Sequence, residues 1–165
     1  MKFVVCLLIT VFLSAIAFAG GKTQLTLHHL NQEAPSISRE VTFASKDGIK
    51  LYADIYDSEK GKSTPLIMLF HQGGGDVRGE YATIIPRLLK LGYNIMATDT
   101  RQGGNRFGTN RTMADITKEF SYCDAYQDLE AALDFAKKEG FTGKKIAWGS
   151  SFTAALVFQL ASKRG

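Results

Sequence analysis

Ser151 stands where a strand-forming run, Lys145-Ile146-Ala147-Trp148, passes through Gly149 into an apolar helical segment beginning at Phe152. A serine at such a strand-to-helix turn can serve as a nucleophile for acyl transfer. The turn lifts the hydroxyl clear of the chain, and the helix start offers unused N–H groups and partial positive charge. The turn is tight enough to need small residues two before and two after the serine. Gly149 meets the first requirement for Ser151, and Thr153 stands at the second, where glycine is usual. For Ser150 the same positions hold Trp148 and Phe152, both bulky. Ser151 is therefore the candidate nucleophile. The same residues also read as a serine N-cap on a buried helix.

A second segment favours the chemical reading. His71-Gln72-Gly73-Gly74-Gly75 follows the apolar run Pro65–Phe70. Acyl transfer needs N–H donors aimed at the oxyanion that forms on the attacked carbonyl. One donor is expected at Phe152, directly after the serine, and the other in the glycine loop. Glycines let that backbone approach a ligand closely. The second donor is placed at Gly73, with Gln72 and Gly74 as alternatives. Gly74 and Gly149 are read, with His71, as residues that brace the loop. His71 either braces the loop through hydrogen bonds, the preferred role, or serves as a substitute base. A nucleotide- or phosphate-binding loop is the less favoured alternative, because Arg78 stands where a dinucleotide fingerprint needs its third glycine and no Gly-Lys-Ser/Thr follows.

The elements that must hold these residues are legible in the patterning. Arg39–Ala44 and Ile49–Tyr56 alternate around Lys46-Asp47-Gly48, a hairpin signal. Pro65–Phe70, Tyr93–Thr98 and Lys145–Trp148 are short apolar runs, as expected of strands buried on both faces. Between them, Tyr81, Ile84, Ile85, Leu88 and Leu89 recur at helical spacing, with Glu80, Arg87 and Lys90 facing water. Pro86 fits only near the first turn of that helix. A long polar loop, Asp99 to Phe120, precedes a helix capped by Ser121 and Asp124, with Tyr122, Ala125, Leu129, Ala132, Leu133 and Ala136 on one face and Gly140 at its end. Arg101 and Arg106 in the loop are read as surface or loop-bracing residues, with contact to an anionic substrate as the alternative. The last helix is apolar nearly all round. The order predicts an α/β fold: a mostly parallel sheet flanked by helices, with an antiparallel β-hairpin in front. His71, Asp99 and Ser151 fall at the C-terminal strand ends, where such sheets gather functional residues.

Composition excludes several classes. The 165 residues carry 20 basic and 16 acidic side chains, with no basic run of the kind that binds nucleic acid. Met1-Lys2, the apolar Phe3–Ile16 and Ala17-Phe18-Ala19 read as a signal peptide over residues 1–19, which predicts a secreted or periplasmic protein with no stable membrane anchor after cleavage. Residues 20–37 form an irregular lead-in, with Thr23, Leu25 and Leu27 alternating as one further strand, and 38–165 form the domain. Removal of the signal leaves Cys123, read as a buried structural thiol, without a disulfide partner. His28 and His29 would point to opposite faces of a strand with no third ligand nearby, so no metal is expected. No cofactor is implied.

Taken together, the hairpin, Leu66–Gly75, Arg78–Tyr81, Asn94–Gly104 and Gly149–Thr153 resemble the α/β-hydrolase superfamily over about Val41 to Gly165, with the small esterases and dienelactone-hydrolase-like members most similar. The resemblance implies an acyl-enzyme on Ser151, an oxyanion hole from Gly73 and Phe152, and a small-molecule acyl substrate. It also implies that the strand ending at His71 lies beside the strand ending at Ser151. In that family an acid and then a histidine follow the serine, and neither follows Ser151 here. The expectation is therefore the N-terminal portion of a serine hydrolase, weakly active or inactive as it stands, with the strand before Ser151 exposed as a sheet edge open to self-association. The alternative is a non-catalytic binding or assembly module that keeps the pocket.

Overall fold

The computed structural model describes residues 37–165. The predicted signal, most of the lead-in with its added strand, and His28-His29 lie outside the described residues. Strands β1 (Arg39–Ala44) and β2 (Lys50–Tyr56) form the expected hairpin. Its turn uses Gly48 at φ +85°, a conformation open to glycine at no steric cost. Strands β3 (Leu66–Phe70) and β4 (Asn94–Asp99) are buried at every residue, as the continuous apolar run of β3 requires, and β4 buries Asn94, Thr98 and Asp99 along with its apolar centre. With β5 (Lys145–Gly149) they complete a five-stranded sheet in the order β1-β2-β4-β3-β5. β2 is antiparallel to β1 and β4, while β3 is parallel to β4 and β5. β2 alone therefore runs against the other four strands.

Side chains alternate between two cores, as the strand period dictates. Leu66, Met68 and Phe70 of β3 face α3 (Tyr126–Lys138) and α4 (Phe152–Arg164), where they pack with Leu129, Leu133, Leu156 and Leu160. Ile67 and Leu69 face the other side and pack with Val77, Tyr81 and Ile85. Val77 lies in α1 (Val77–Glu80), Tyr81 caps its end and Ile85 opens α2 (Ile85–Lys90), two short helices where the sequence predicts one. Pro86 explains the break. It lies in the first turn of α2, and its nitrogen has no hydrogen to give the preceding turn.

The capping pair Ser121 and Asp124 is present, with the Ser121 N–H donating to Asp124 Oδ2 at 2.7 Å. It opens a 3₁₀ turn, Tyr122–Ala125, and α3 begins only at Tyr126. Tyr122 is therefore not on the buried face of α3 but exposed, and Cys123 is exposed rather than buried. The last helix buries Thr153, Leu156, Val157 and Leu160 and leaves Phe158 half exposed. No helix among the described residues is long and apolar enough to cross a membrane.

Candidate active site

The β3–β5 register sets Phe70 opposite Gly149. The glycine loop and the serine turn therefore leave the sheet side by side. Ser151 has φ 56° and ψ −122° and is exposed. It is the one non-glycine residue with positive φ among the described residues, a conformation that costs energy unless its surroundings hold it. Two neighbours do so. A Cβ on Gly149 would lie 2.4 Å from the Thr153 carbonyl oxygen, so only glycine lets the helix start this close to the strand. Thr153 is fully buried, and its hydroxyl accepts the Ser150 N–H at 2.8 Å. The same hydroxyl lies 3.0 Å from the Phe70 carbonyl and 2.8 Å from that of Ser150, to which it donates. A threonine in the usual glycine position thus ties the turn to the end of β3.

Most of the glycine-loop N–H groups are spoken for. Gln72 donates to Glu80 Oε2 at 2.9 Å, Gly74 to the Gln102 carbonyl at 2.9 Å, and Gly75 to the Gln72 carbonyl at 3.1 Å. The Gly73 N–H has no acceptor among the described residues, and neither has the Phe152 N–H at the first position of α4. Gly74 has φ +71°, which turns the chain so that these bonds form around Gly73. The His71 ring is fully buried and used at both nitrogens. Nδ1 lies 2.7 Å from the Gln72 carbonyl and donates to it. Nε2 accepts from the Thr100 N–H at 2.9 Å and from Asn110 Nδ2 at 3.0 Å. This network assigns the neutral Nδ1–H tautomer.

The fold has counterparts among known proteins. The esterase Pf2001 of Pyrococcus furiosus superposes with a TM-score of 0.62 at 24% identity, covering 78% of this chain and 47% of its own. An α/β hydrolase from Novosphingobium aromaticivorans superposes with a TM-score of 0.56 at 21% identity, over 77% of this chain and 40% of its own. This is the α/β-hydrolase fold. In sequence, the chain is 27% identical over 130 residues to the quorum-quenching protein AidA of Acinetobacter baumannii, covering 78% of this chain and 40% of AidA. No family model matches. The chain thus spans less than half the length of these proteins.

Within this hydrolase fold the long loop 99–120 is anchored by buried charge. Arg101 is not a surface residue. Its side chain is wholly buried and donates to Asp128 through Nε at 3.0 Å and Nη2 at 2.6 Å, and to Asp47. Phe120 stacks on its guanidinium at 4.7 Å. These contacts leave no face of Arg101 for an anionic substrate. Arg106 is exposed and enters the site only through its N–H, which donates to the Gly74 carbonyl at 3.1 Å. At the end of β4, Asp99 accepts from the Val77 N–H at 3.1 Å and from Arg111 Nε at 3.0 Å. Arg111 also joins Asp54, which Arg78 pairs from the other side. Burial alone would raise the Asp54 pKa, but the two arginines outweigh it and hold the carboxyl below its usual range. No group of three or more potential metal-ligating side chains occurs among the described residues.

Four residues around the site carry no clear signal in the sequence. Glu80, expected to face water, instead holds the Gln72 N–H. Asn110 bridges His71 and the Thr100 carbonyl, the latter at 3.1 Å. Thr153 reads there only as a tolerated substitute for glycine. Tyr122 stacks on Phe152 with ring centroids 4.6 Å apart. A Cβ on Gly73 would lie 2.8 Å from its hydroxyl.

Proposed function

We propose that this chain carries the nucleophile side of a serine hydrolase site that acts on an ester or related acyl bond of a small molecule. Ser151 Oγ attacks the carbonyl carbon, its proton passes to a base, and the N–H groups of Phe152 and Gly73 stabilise the oxyanion. Collapse expels the alcohol, and water then releases the acid from the serine. The observation that carries this reading is the pair of unpartnered N–H groups flanking a strained, exposed serine. The Phe152 N–H is one that any helix start leaves open, and the Gly73 N–H is the one left open in the glycine loop, so both are available to an anion formed at Ser151. The esterase names among the similar structures support an ester substrate. The signal-like residues 1–19 support a secreted or periplasmic site of action.

The site needs a base, and His71 does not suit the role. Both of its nitrogens are engaged and its ring is fully buried. That observation favours a second reading, a binding module that keeps the pocket without the chemistry. A fluorophosphonate probe separates the two. On the hydrolase reading the probe labels Ser151, labelling disappears in Ser151→Ala, and added imidazole speeds the wild-type reaction several-fold by acting as the base. A folded protein that stays unlabelled with imidazole present overturns the hydrolase reading.

A further inference from the structure

Tyr122 occupies a position that neither the fold nor the proposed chemistry requires of it. One side of its ring rests against Phe152, at 4.6 Å between centroids and 36° between planes. Its hydroxyl reaches the bare Cα of Gly73, where an added Cβ would come within 2.8 Å of it. Tyr122 therefore spans the two residues whose N–H groups are unpartnered. It is nevertheless 56% exposed, and its hydroxyl has no hydrogen-bond partner among the described residues. A large aromatic side chain held against a glycine loop yet open to solvent is an apolar surface available to a ligand. Its backbone is fixed on the N-terminal side, where Asp124 Oδ2 binds the Ser121 N–H and Gln102 Nε2 donates to the Phe120 carbonyl. At Gly75 of the same loop, the half-exposed Phe107 lies 3.4 Å from where a Cβ would stand.

We infer that Tyr122 is the specificity-determining wall of the Ser151 site. Its open ring face receives a flat, apolar acyl group, so that aryl esters are preferred over short alkyl ones. The inference rests on the hydrolase reading for its reaction, but the wall itself is a binding surface and is testable without turnover. Stacking against an aromatic ring is worth about 0.5–1.5 kcal/mol beyond area burial, up to roughly a tenfold preference.

Two measurements decide it. In the first, Ser151 is labelled in the presence of imidazole with an aryl and with a methyl fluorophosphonate. Tyr122→Ala is expected to lower the aryl-to-methyl rate ratio about tenfold, and Tyr122→Phe, which keeps the ring, to leave it within about twofold. In the second, binding of phenylacetamide and acetamide is followed by ligand-observed NMR. Phenylacetamide is expected to bind wild type and Tyr122→Phe and to lose binding in Tyr122→Ala. If labelling proceeds with an unchanged ratio in Tyr122→Ala, the wall is wrong and the nucleophile stands. If nothing labels but phenylacetamide binding depends on Tyr122, the wall stands and the nucleophile reading fails. Equal losses in Tyr122→Phe and Tyr122→Ala overturn the wall, because the hydroxyl then does the work. Absence of both labelling and binding overturns both.

Discussion

Gly149 and Gly73 are both glycines of close approach, but what approaches them differs in kind. An added methyl at Gly149 meets backbone, the Thr153 carbonyl at 2.4 Å, which cannot move without opening the start of α4. At Gly73 it meets the outer end of an exposed tyrosine at 2.8 Å, which can swing away. Gly149→Ala is therefore expected to cost about 1–3 kcal/mol, the usual penalty of overpacking. Gly73→Ala is expected to change stability by less than about 0.5 kcal/mol while slowing fluorophosphonate labelling, because the methyl displaces Tyr122 from the loop that carries the proposed oxyanion donor. Urea midpoints and labelling rates on the two variants check this. Equal stability losses would show that Tyr122 is as rigid as the backbone, and undiminished labelling of Gly73→Ala would remove Gly73 from the site.

At the scale of elements, the join between β3, β5 and α4 depends on one hydroxyl. Thr153 Oγ1 accepts from Ser150 and donates among the Phe70, His71 and Ser150 carbonyls, the His71 oxygen at 3.2 Å. Thr153→Val keeps the shape and removes the hydroxyl, leaving buried polar groups short of a partner. It is expected to cost about 1–3 kcal/mol, with Thr153→Ser recovering most of it. Thermal unfolding of the two variants measures the difference, and a fully stable Thr153→Val would show that the backbone bond from Ser150 to Phe70 suffices. Strand positions and the serine turn were legible in the sequence because they follow from local period and small-residue spacing. The split of α1 from α2 was signalled only by Pro86, and a capping box could not reveal whether it opens an α-helix or a 3₁₀ turn. That ambiguity displaced Tyr122 and Cys123 from core to surface. Partners such as Asn110 for His71, 39 positions away, have no local signature at all.

Across the whole molecule, Arg101 joins three parts that are distant in sequence: the hairpin turn at Asp47, the long loop, and α3 at Asp128. Both Arg101 and Asp128 are withdrawn from water, so the pair is worth less as attraction than its loss would cost as an unpaired charge. Burial raises the Asp128 pKa, and the hydrogen bonds and charge of Arg101 oppose that rise. Hydrogen bonds from Arg101 conversely hold Asp47 well below the usual carboxylate range. The two acids therefore pull stability in opposite directions with pH. A depressed carboxyl contributes stability above its unfolded pKa and loses it as pH falls through the folded value, whereas a raised one stabilises the folded state on acidification. Arg101→Met removes what opposes the rise at Asp128 and what depresses Asp47. The variant is expected to lose about 3–5 kcal/mol at pH 7, and its deficit relative to wild type is expected to shrink as pH falls toward 5 and Asp128 takes up a proton. Urea unfolding of both proteins at pH 7 and pH 5 gives the two deficits directly. A deficit that stays constant would mean that Asp128 remains ionised without Arg101 and draws its support from elsewhere in the loop.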